Sequence, residues 1–189
     1  MVLAAGASQR LGRPKQTVVL GGETLVERAV RVAFEAGLSP VIVVLRGEGE
    51  LSARLLDRGC VVVINKQAEE GMAASIRCGV ERARETGVDG VVVMACDQVG
   101  LRADHLRALC GEGARVTGSG YAGKVGIPAY FPAASFGELL ALRGDVGARG
   151  LLQGGAAVVE EGLGLDVDTE EDVERASCAD GGSCADGEG

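Results

Sequence analysis

Three apolar runs limit what this chain can become. VIVVL (41–45), CVVVI (60–64) and VVVMAC (91–96) are short, rich in β-branched residues and unbroken by polar ones. A strand with one wet face alternates apolar and polar side chains, whereas a run that is apolar throughout needs cover on both faces. Such runs belong to mostly parallel sheets with helices on either side. Helical patterns do fall between them. Thr24 and Glu27 have capping-box spacing, Leu25, Ala29 and Ala33 follow at helical intervals, and Gly37 ends the segment. Further helices are predicted over 50–58, 72–86 and 103–110. The alternation predicts one α/β domain, a three-layer, Rossmann-like open sheet, with no linker dividing it.

Beyond Gly111 the pattern is less regular. GSGYAGKVGIPAYF reads as a loop entering a short strand over 129–131. Helices are predicted over 133–142 and 148–153, with a strand over 156–159 between them and the end of the fold. LDVDTEEDVERA reads as a strand, a turn and a helix capped by Thr169. SCADG then occurs twice, at Ser177 and Ser183. A small, polar, repeated segment is expected to be disordered, which sets the domain at 1–176 and a tail at 177–189.

The formal net charge of -8 is a property of the C-terminus. Residues 160–189 hold eleven acids and one base, leaving sixteen acids and eighteen bases in the rest, so the body can hold an anionic substrate. Aromatic residues are 3% with no Trp, which argues against base-stacking platforms and hence against nucleic-acid binding. No apolar run reaches the roughly 18 residues of a membrane span. The first apolar stretch is too short for a signal peptide, so a cytoplasmic location is expected. The strand over the first residues begins at Met1 without lead-in residues. The six cysteines fit a reducing compartment as buried thiols.

Four stretches carry candidate chemistry. GASQRLGRPK (6–15) follows the first strand, at the end where ligands bind in such sheets. Its glycines let backbone N–H groups approach an anion, and Arg10 and Lys15 can neutralise phosphate. Its spacing matches neither G-x-x-x-x-G-K-[ST] nor G-x-G-x-x-G. Asp97 ends a buried strand, where it serves either as a Mg²⁺ ligand or as a turn residue. In LDVDTEED, Asp166 and Asp168 share one strand face, and either a metal ligand or a capping cluster is consistent with that spacing. Asn65, Gly71, Ser75 and Arg77 surround a helix start, suited to a base edge or phosphate or to simple capping. His105, the only histidine, is expected on a solvated helix face, which leaves no basis for a Ser-His-Asp triad.

Together these pieces resemble a family. Leu3–Ala4–Ala5–Gly6 through Ser8, Arg10, Gly12 and Lys15 complete the pattern L-A-A-G-x-S-x-R-x-G-x-x-K of cofactor and sugar-phosphate nucleotidyltransferases. With N-x₅-G-M-x-x-S-I-R-x-G, the DQ of residues 97–98, GKVGIPAYF, RGDVGARGLL and DVDTEEDVERA in order, the chain resembles the molybdenum cofactor cytidylyltransferase branch up to about Ala176. The related guanylyltransferases usually have Ala-Gly-Gly where this chain has Ala4-Ala5-Gly6.

The resemblance implies Mg²⁺-dependent transfer of CMP from CTP to the terminal phosphate of a molybdopterin-type cofactor, with a molybdoenzyme receiving the product. It implies that Arg10, Lys15 and Asp97 are catalytic, with Leu3, Ala4, Ala5, Gly6, Ser8, Gly12, Asn65, Gly71 and Ser75 around the nucleotide. Asp97 and Asp168 would hold the metal. Gly126, Pro128, Gly144, Asp145 and Arg149 would shape the acceptor site. The chain departs from the family pattern at Val99, where a proline is usual, at Ala68 in place of an aromatic, and at Ile127 in place of a histidine.

Overall fold

Each apolar run becomes a strand covered on both sides. The computed structural model describes residues 1–179 apart from 7, 9, 112 and 146. The elements are β1 (Val2–Ala4), β2 (Val19–Leu20), β3 (Glu23–Thr24), α1 (Leu25–Glu35), β4 (Ile42–Leu45), α2 (Glu50–Asp57) and β5 (Val61–Ile64). They continue with α3 (Met72–Glu85), β6 (Gly90–Ala95), α4 (Ala103–Gly111), β7 (Thr117–Tyr121), β8 (Lys124–Pro132), α5 (Phe136–Ala141), β9 (Ala156–Val159) and α6 (Glu170–Ala179). Seven strands form one sheet in the order β5-β4-β1-β6-β8-β7-β9, and β2 and β3 form a separate ribbon. β5, β4, β1 and β6 are parallel, β8 is antiparallel to both its neighbours, and β9 is parallel to β7.

The period of two divides each strand between two cores. Val43 and Leu45 pack with Val2, Met94 and, from α1 and α4, Val26, Val30 and Leu106. Ile42 and Val44 face the other way, with Val93, Phe131, Ile76 of α3 and Leu139 of α5. The capping box forms as expected: Glu27 N–H donates to Thr24 Oγ1 at 3.3 Å, and Thr24 N–H donates to Glu27 Oε2 at 3.1 Å. A third cluster of Leu11, Val18, Leu20, Leu25, Val167 and Ala176 clamps the first loop between the small ribbon and the C-terminal helix.

The chain leaves β1 toward β4 on one side and returns to β6 on the other. The switch point of the sheet therefore lies between the carboxyl ends of β1 and β6, where ligands collect in open α/β folds.

Three expectations need correction. GSGYAGKVGIPAYF is a long antiparallel hairpin and not a loop entering a short strand. Its glycines mark close approach: a Cβ on Gly118 would lie 2.5 Å from Val125 Cγ1, and one on Gly126 2.9 Å from the Tyr121 hydroxyl. Ala122 and Gly123, both with positive φ, make its two-residue turn. His105 is 4% exposed and not solvated, because the buried Ser119 hydroxyl satisfies its ring at 2.7 Å. The segment 148–153 is helical as expected, as a 3-10 helix over Ala148–Leu152. The strand expected in LDVD is reduced to one bridge, Gln98 with Asp166. At the C-terminus α6 takes in Ser177 and Cys178, while the remainder of the tail, with the second SCADG, lies outside the described residues.

Candidate active site

A cleft of about 790 Å³ opens at the switch point. The loop after β1 forms one wall. Ser8 sits at φ 48° and accepts a hydrogen bond from Lys15 N–H at 2.8 Å, pinching the loop into a ring. Gly12 at φ 68° turns the chain back, and buried Leu11 anchors it. A short 3-10 turn over Lys15–Thr17 then aims the lysine inward.

Lys15 is the centre of the site. Its Nζ lies 2.9 Å from Asp97 Oδ2 and also donates to Asp168 Oδ1. Its side chain is 18% exposed and that of Asp97 20%, so screening is limited. Burial alone would lower the lysine pKa, but the Asp97 charge and the hydrogen bonds to Asp168 and Asp97 outweigh it and raise the pKa. Arg10 Nη1 stands 3.4 Å from Asp168 Oδ2 at the open rim. Arg13 pairs with Glu170 at 2.8 Å, tying the loop to the start of α6.

The C-terminal acids are delivered by backbone pairing. Val167 N–H donates to the Asp97 carbonyl at 3.1 Å, which sets Asp166 and Asp168 beside β6. Asp172 accepts from the Asp168 and Thr169 amides at 3.0 and 2.8 Å, capping α6 and fixing the turn that carries Asp168. The capping box thus falls on Thr169 and Asp172 and leaves Asp168 on the cleft.

Two carboxylates around a positive charge form a donor set that fits Mg²⁺, which binds through one or two carboxylates plus nucleotide phosphates. Among the described residues no group of three or more His, Cys, Asp or Glu side chains is arranged as a metal cage. A metal here would therefore depend on ligand oxygens to complete its coordination.

Asp166 is the third acid. Its Oδ1 is buried without a hydrogen-bond partner among the described residues. Burial, then the charges of Asp97 and Asp168, push its pKa up to about 6. The folded state thus holds a proton that the unfolded chain releases near pH 4. This group's contribution to stability is complete at low pH and is lost as pH rises through about 6. Asp166→Asn is expected to raise the thermal midpoint of the metal-free protein above pH 6, with a gain that shrinks toward pH 4. Melting curves across that range in chelator check this.

The structure brings most of the expected residues to one cleft. Leu3, Ala4, Ala5, Gly6, Ser8, Arg10 and Lys15 line it, as do Gly71 and Ser75, and as do Asp97, Asp145 and Asp168. Gly12 shapes the loop from behind. Asn65, 1% exposed, donates Nδ2–H to Ser75 Oγ at 3.0 Å and so braces a lining residue without lining the cleft itself. Gly126 and Pro128 flank Ile127, which does line it; Gly144 and Arg149 are exposed but do not line the cleft. Arg77 faces away, donating to the Leu142 carbonyl at 2.9 Å.

Gly71 lines the cleft and also meets the segment after α5 at close range. Its φ is +100°, and a Cβ there would lie 2.2 Å from Asp145 Oδ1 and 2.7 Å from the Gly144 carbonyl. That carbonyl accepts from Ala73 N–H at 3.1 Å, so the 144–147 loop docks on the start of α3. Gly71→Ala is expected to undock it, lowering the thermal midpoint and cutting turnover roughly tenfold. Calorimetry and steady-state assays would show both.

Sequence reasoning missed Arg46 and Glu69, which line the cleft and pair at 2.6 Å. Arg46 directly follows β4, beside β1, so the rule of carboxyl strand ends pointed to it. Cys96 also lines the cleft, but burial, then the Asp97 charge, push its thiol up to about 12, which makes it inert as a nucleophile.

The comparisons with known proteins agree with this geometry. The family model described as MobA-like NTP transferase domain matches residues 1–160. Purine catabolism protein PucB of Bacillus subtilis is 33% identical over 190 residues, covering 91% of this chain and 92% of that protein. A probable molybdenum cofactor guanylyltransferase of Opitutus terrae is 36% identical over 115 residues, 59% of this chain and 55% of that protein. Among solved structures, Rv0371c from Mycobacterium tuberculosis H37Rv is 32% identical with a TM-score of 0.75, covering 93% of this chain and 95% of that one. Rv0371c is also known in complex with manganese, a structure that matches at TM-score 0.72 and 29% identity over 94% of this chain and 96% of that one.

Proposed function

The chain belongs to the MobA-like NTP transferase family, and from that premise we propose that it moves CMP from CTP to the terminal phosphate of a molybdopterin-type cofactor. It is a nucleotidyltransferase with the open α/β fold of the nucleotide-diphospho-sugar transferase type. The observation that carries the reading is Lys15 held between Asp97 and Asp168 at the switch point, under a loop whose backbone and Arg10 face the same cleft.

The chemistry asks for little beyond this. An oxygen of the acceptor phosphate attacks the α-phosphorus in line, the bond to the β-phosphate oxygen breaks, and pyrophosphate leaves. The attacking oxygen is already anionic, so no general base and no enzyme nucleophile are needed. Asp97 and Asp168 would hold Mg²⁺, which would supply positive charge to offset that of the phosphates. Lys15 and Arg10 neutralise the triphosphate, and the loop amides orient it. The manganese complex of Rv0371c supports a divalent metal in a close relative.

Cytidine is favoured by Ala4-Ala5-Gly6, since the guanylyltransferases usually carry Ala-Gly-Gly there. The Opitutus relative, named for guanylyl transfer, supports GTP as the second reading. A molybdoenzyme is the natural recipient of either product. Transfer to a different phosphorylated acceptor, or cofactor binding and delivery without turnover, are the competing outcomes of one experiment. Pyrophosphate release is measured with Mg²⁺ and each of CTP, GTP, ATP and UTP, against molybdopterin-type and sugar-phosphate acceptors. Release with CTP that requires the molybdopterin acceptor supports the proposal. Release with GTP alone, or only with another acceptor, or tight binding without release, overturns it.

A further inference from the structure

One group of buried polar side chains lies beside the cleft and is not part of the loops already described. There, Gln98, His105, Ser119 and Tyr121, all under 9% exposed, are gathered around two consecutive carbonyls of β8. Gln98 Nε2–H donates to the Ile127 carbonyl at 2.9 Å, and the Tyr121 hydroxyl donates to the same oxygen at 3.0 Å. The Ser119 hydroxyl donates to the next carbonyl, Pro128, at 2.5 Å. Its single proton being used there, Ser119 Oγ accepts from His105 Nε2–H at 2.7 Å.

Buried polar side chains are costly unless paired, and a connected set of them specifies one arrangement of the groups it holds. This set holds the backbone of Ile127, a residue that lines the same cleft as Lys15. Gln98 is its link to the chemistry. It follows Asp97 directly and pairs with Asp166 across a bridge, and Asp166 lies two residues from Asp168. Its Oε1 is buried without a partner among the described residues, so the side chain gains hydrogen bonds only through the amide nitrogen that reaches Ile127.

We propose that Gln98 is a positioning residue for the acceptor: it holds the Ile127 wall in register with Asp97, so that losing its amide donor impairs use of the acceptor and not of the nucleotide. This rests on the nucleotidyl-transfer reading of the cleft, with Gly126 and Pro128 on either side of Ile127 shaping the acceptor end. Gln98 touches neither substrate. It acts through Ile127, with Tyr121 as a second tie to the same carbonyl.

The test uses Gln98→Met, which keeps the length and removes the donor, and Tyr121→Phe, which removes only the hydroxyl. With MgCTP as donor and a molybdopterin-type cofactor as acceptor, each is expected to raise the acceptor KM roughly tenfold. The KM for CTP and the kcat at saturating acceptor stay at wild-type values. The double variant should fall short of the product of the two, because both side chains act on one carbonyl. A nucleotide KM that rises in step, a fall in kcat with both KM values unchanged, or no effect overturns the proposal. If the wild-type chain transfers nothing to this acceptor, the functional reading fails, and hydrogen exchange still decides the positioning. Faster exchange over 125–129 in Gln98→Met, with the first loop unchanged, supports it, and equal exchange overturns it.

Discussion

Asp97→Asn is expected to lower nucleotidyl transfer by about a thousandfold while leaving the fold intact. The amide keeps the volume of the carboxylate and loses its charge. Asp97 stands at the carboxyl end of a buried parallel strand, with its backbone carbonyl pairing to Val167 and its side chain on Lys15. A second readout separates a metal role from mere electrostatic support: binding of Mn²⁺, followed by its paramagnetic signal, should be lost in the variant. Activity within a few-fold of wild type would show that the metal is held elsewhere. The substitution also removes one of the charges that push Asp166 upward, so the pH dependence assigned to Asp166 should shift to lower pH.

Lys15→Met is expected to have an effect of similar size, about a thousandfold, through loss of charge neutralisation on the triphosphate. It should also change the resting protein. Without the ammonium, Asp97 and Asp168 face each other without their shared cation. The metal-free variant should melt lower than wild type, and added Mg²⁺ should raise its midpoint by more than it raises that of wild type. Melting curves with and without Mg²⁺ measure both. An equal metal shift in the two proteins would mean that Lys15 and the metal do not draw on the same carboxylates.

The parts legible in advance were those that local pattern controls. The runs 41–45, 60–64 and 91–96 became β4, β5 and β6 because unbroken β-branched stretches have few alternatives to a sheet covered on both faces. Thr24 and Glu27 capped α1 because a capping box is a matter of four residues. The hairpin from Thr117 to Pro132 was misread because its glycines answer to cross-strand neighbours and not to local turn preference. His105 was misread for the same reason, since its partner Ser119 is on another element. Asn65 was expected beside the nucleotide, and its contacts run to Ser75 and to the Gln67 amide, because a buried amide takes the partners that the next helix offers.

The sequence by itself determined which chemistry was on offer: a glycine-rich basic loop at one strand end, a carboxylate at another, and a doublet of aspartates near the C-terminus. Each of these depends on spacing along the chain, and spacing is local. Only the tertiary structure decided that Lys15 and Asp168, 153 residues apart, would meet. It also decided that Asp166 would stand half-buried near them, and that four polar side chains would gather around the Ile127 and Pro128 carbonyls. Those outcomes follow from the order of strands in the sheet and from the pairing of Val167 with Asp97. Both are contacts of high sequence separation, and no window along the chain contains them.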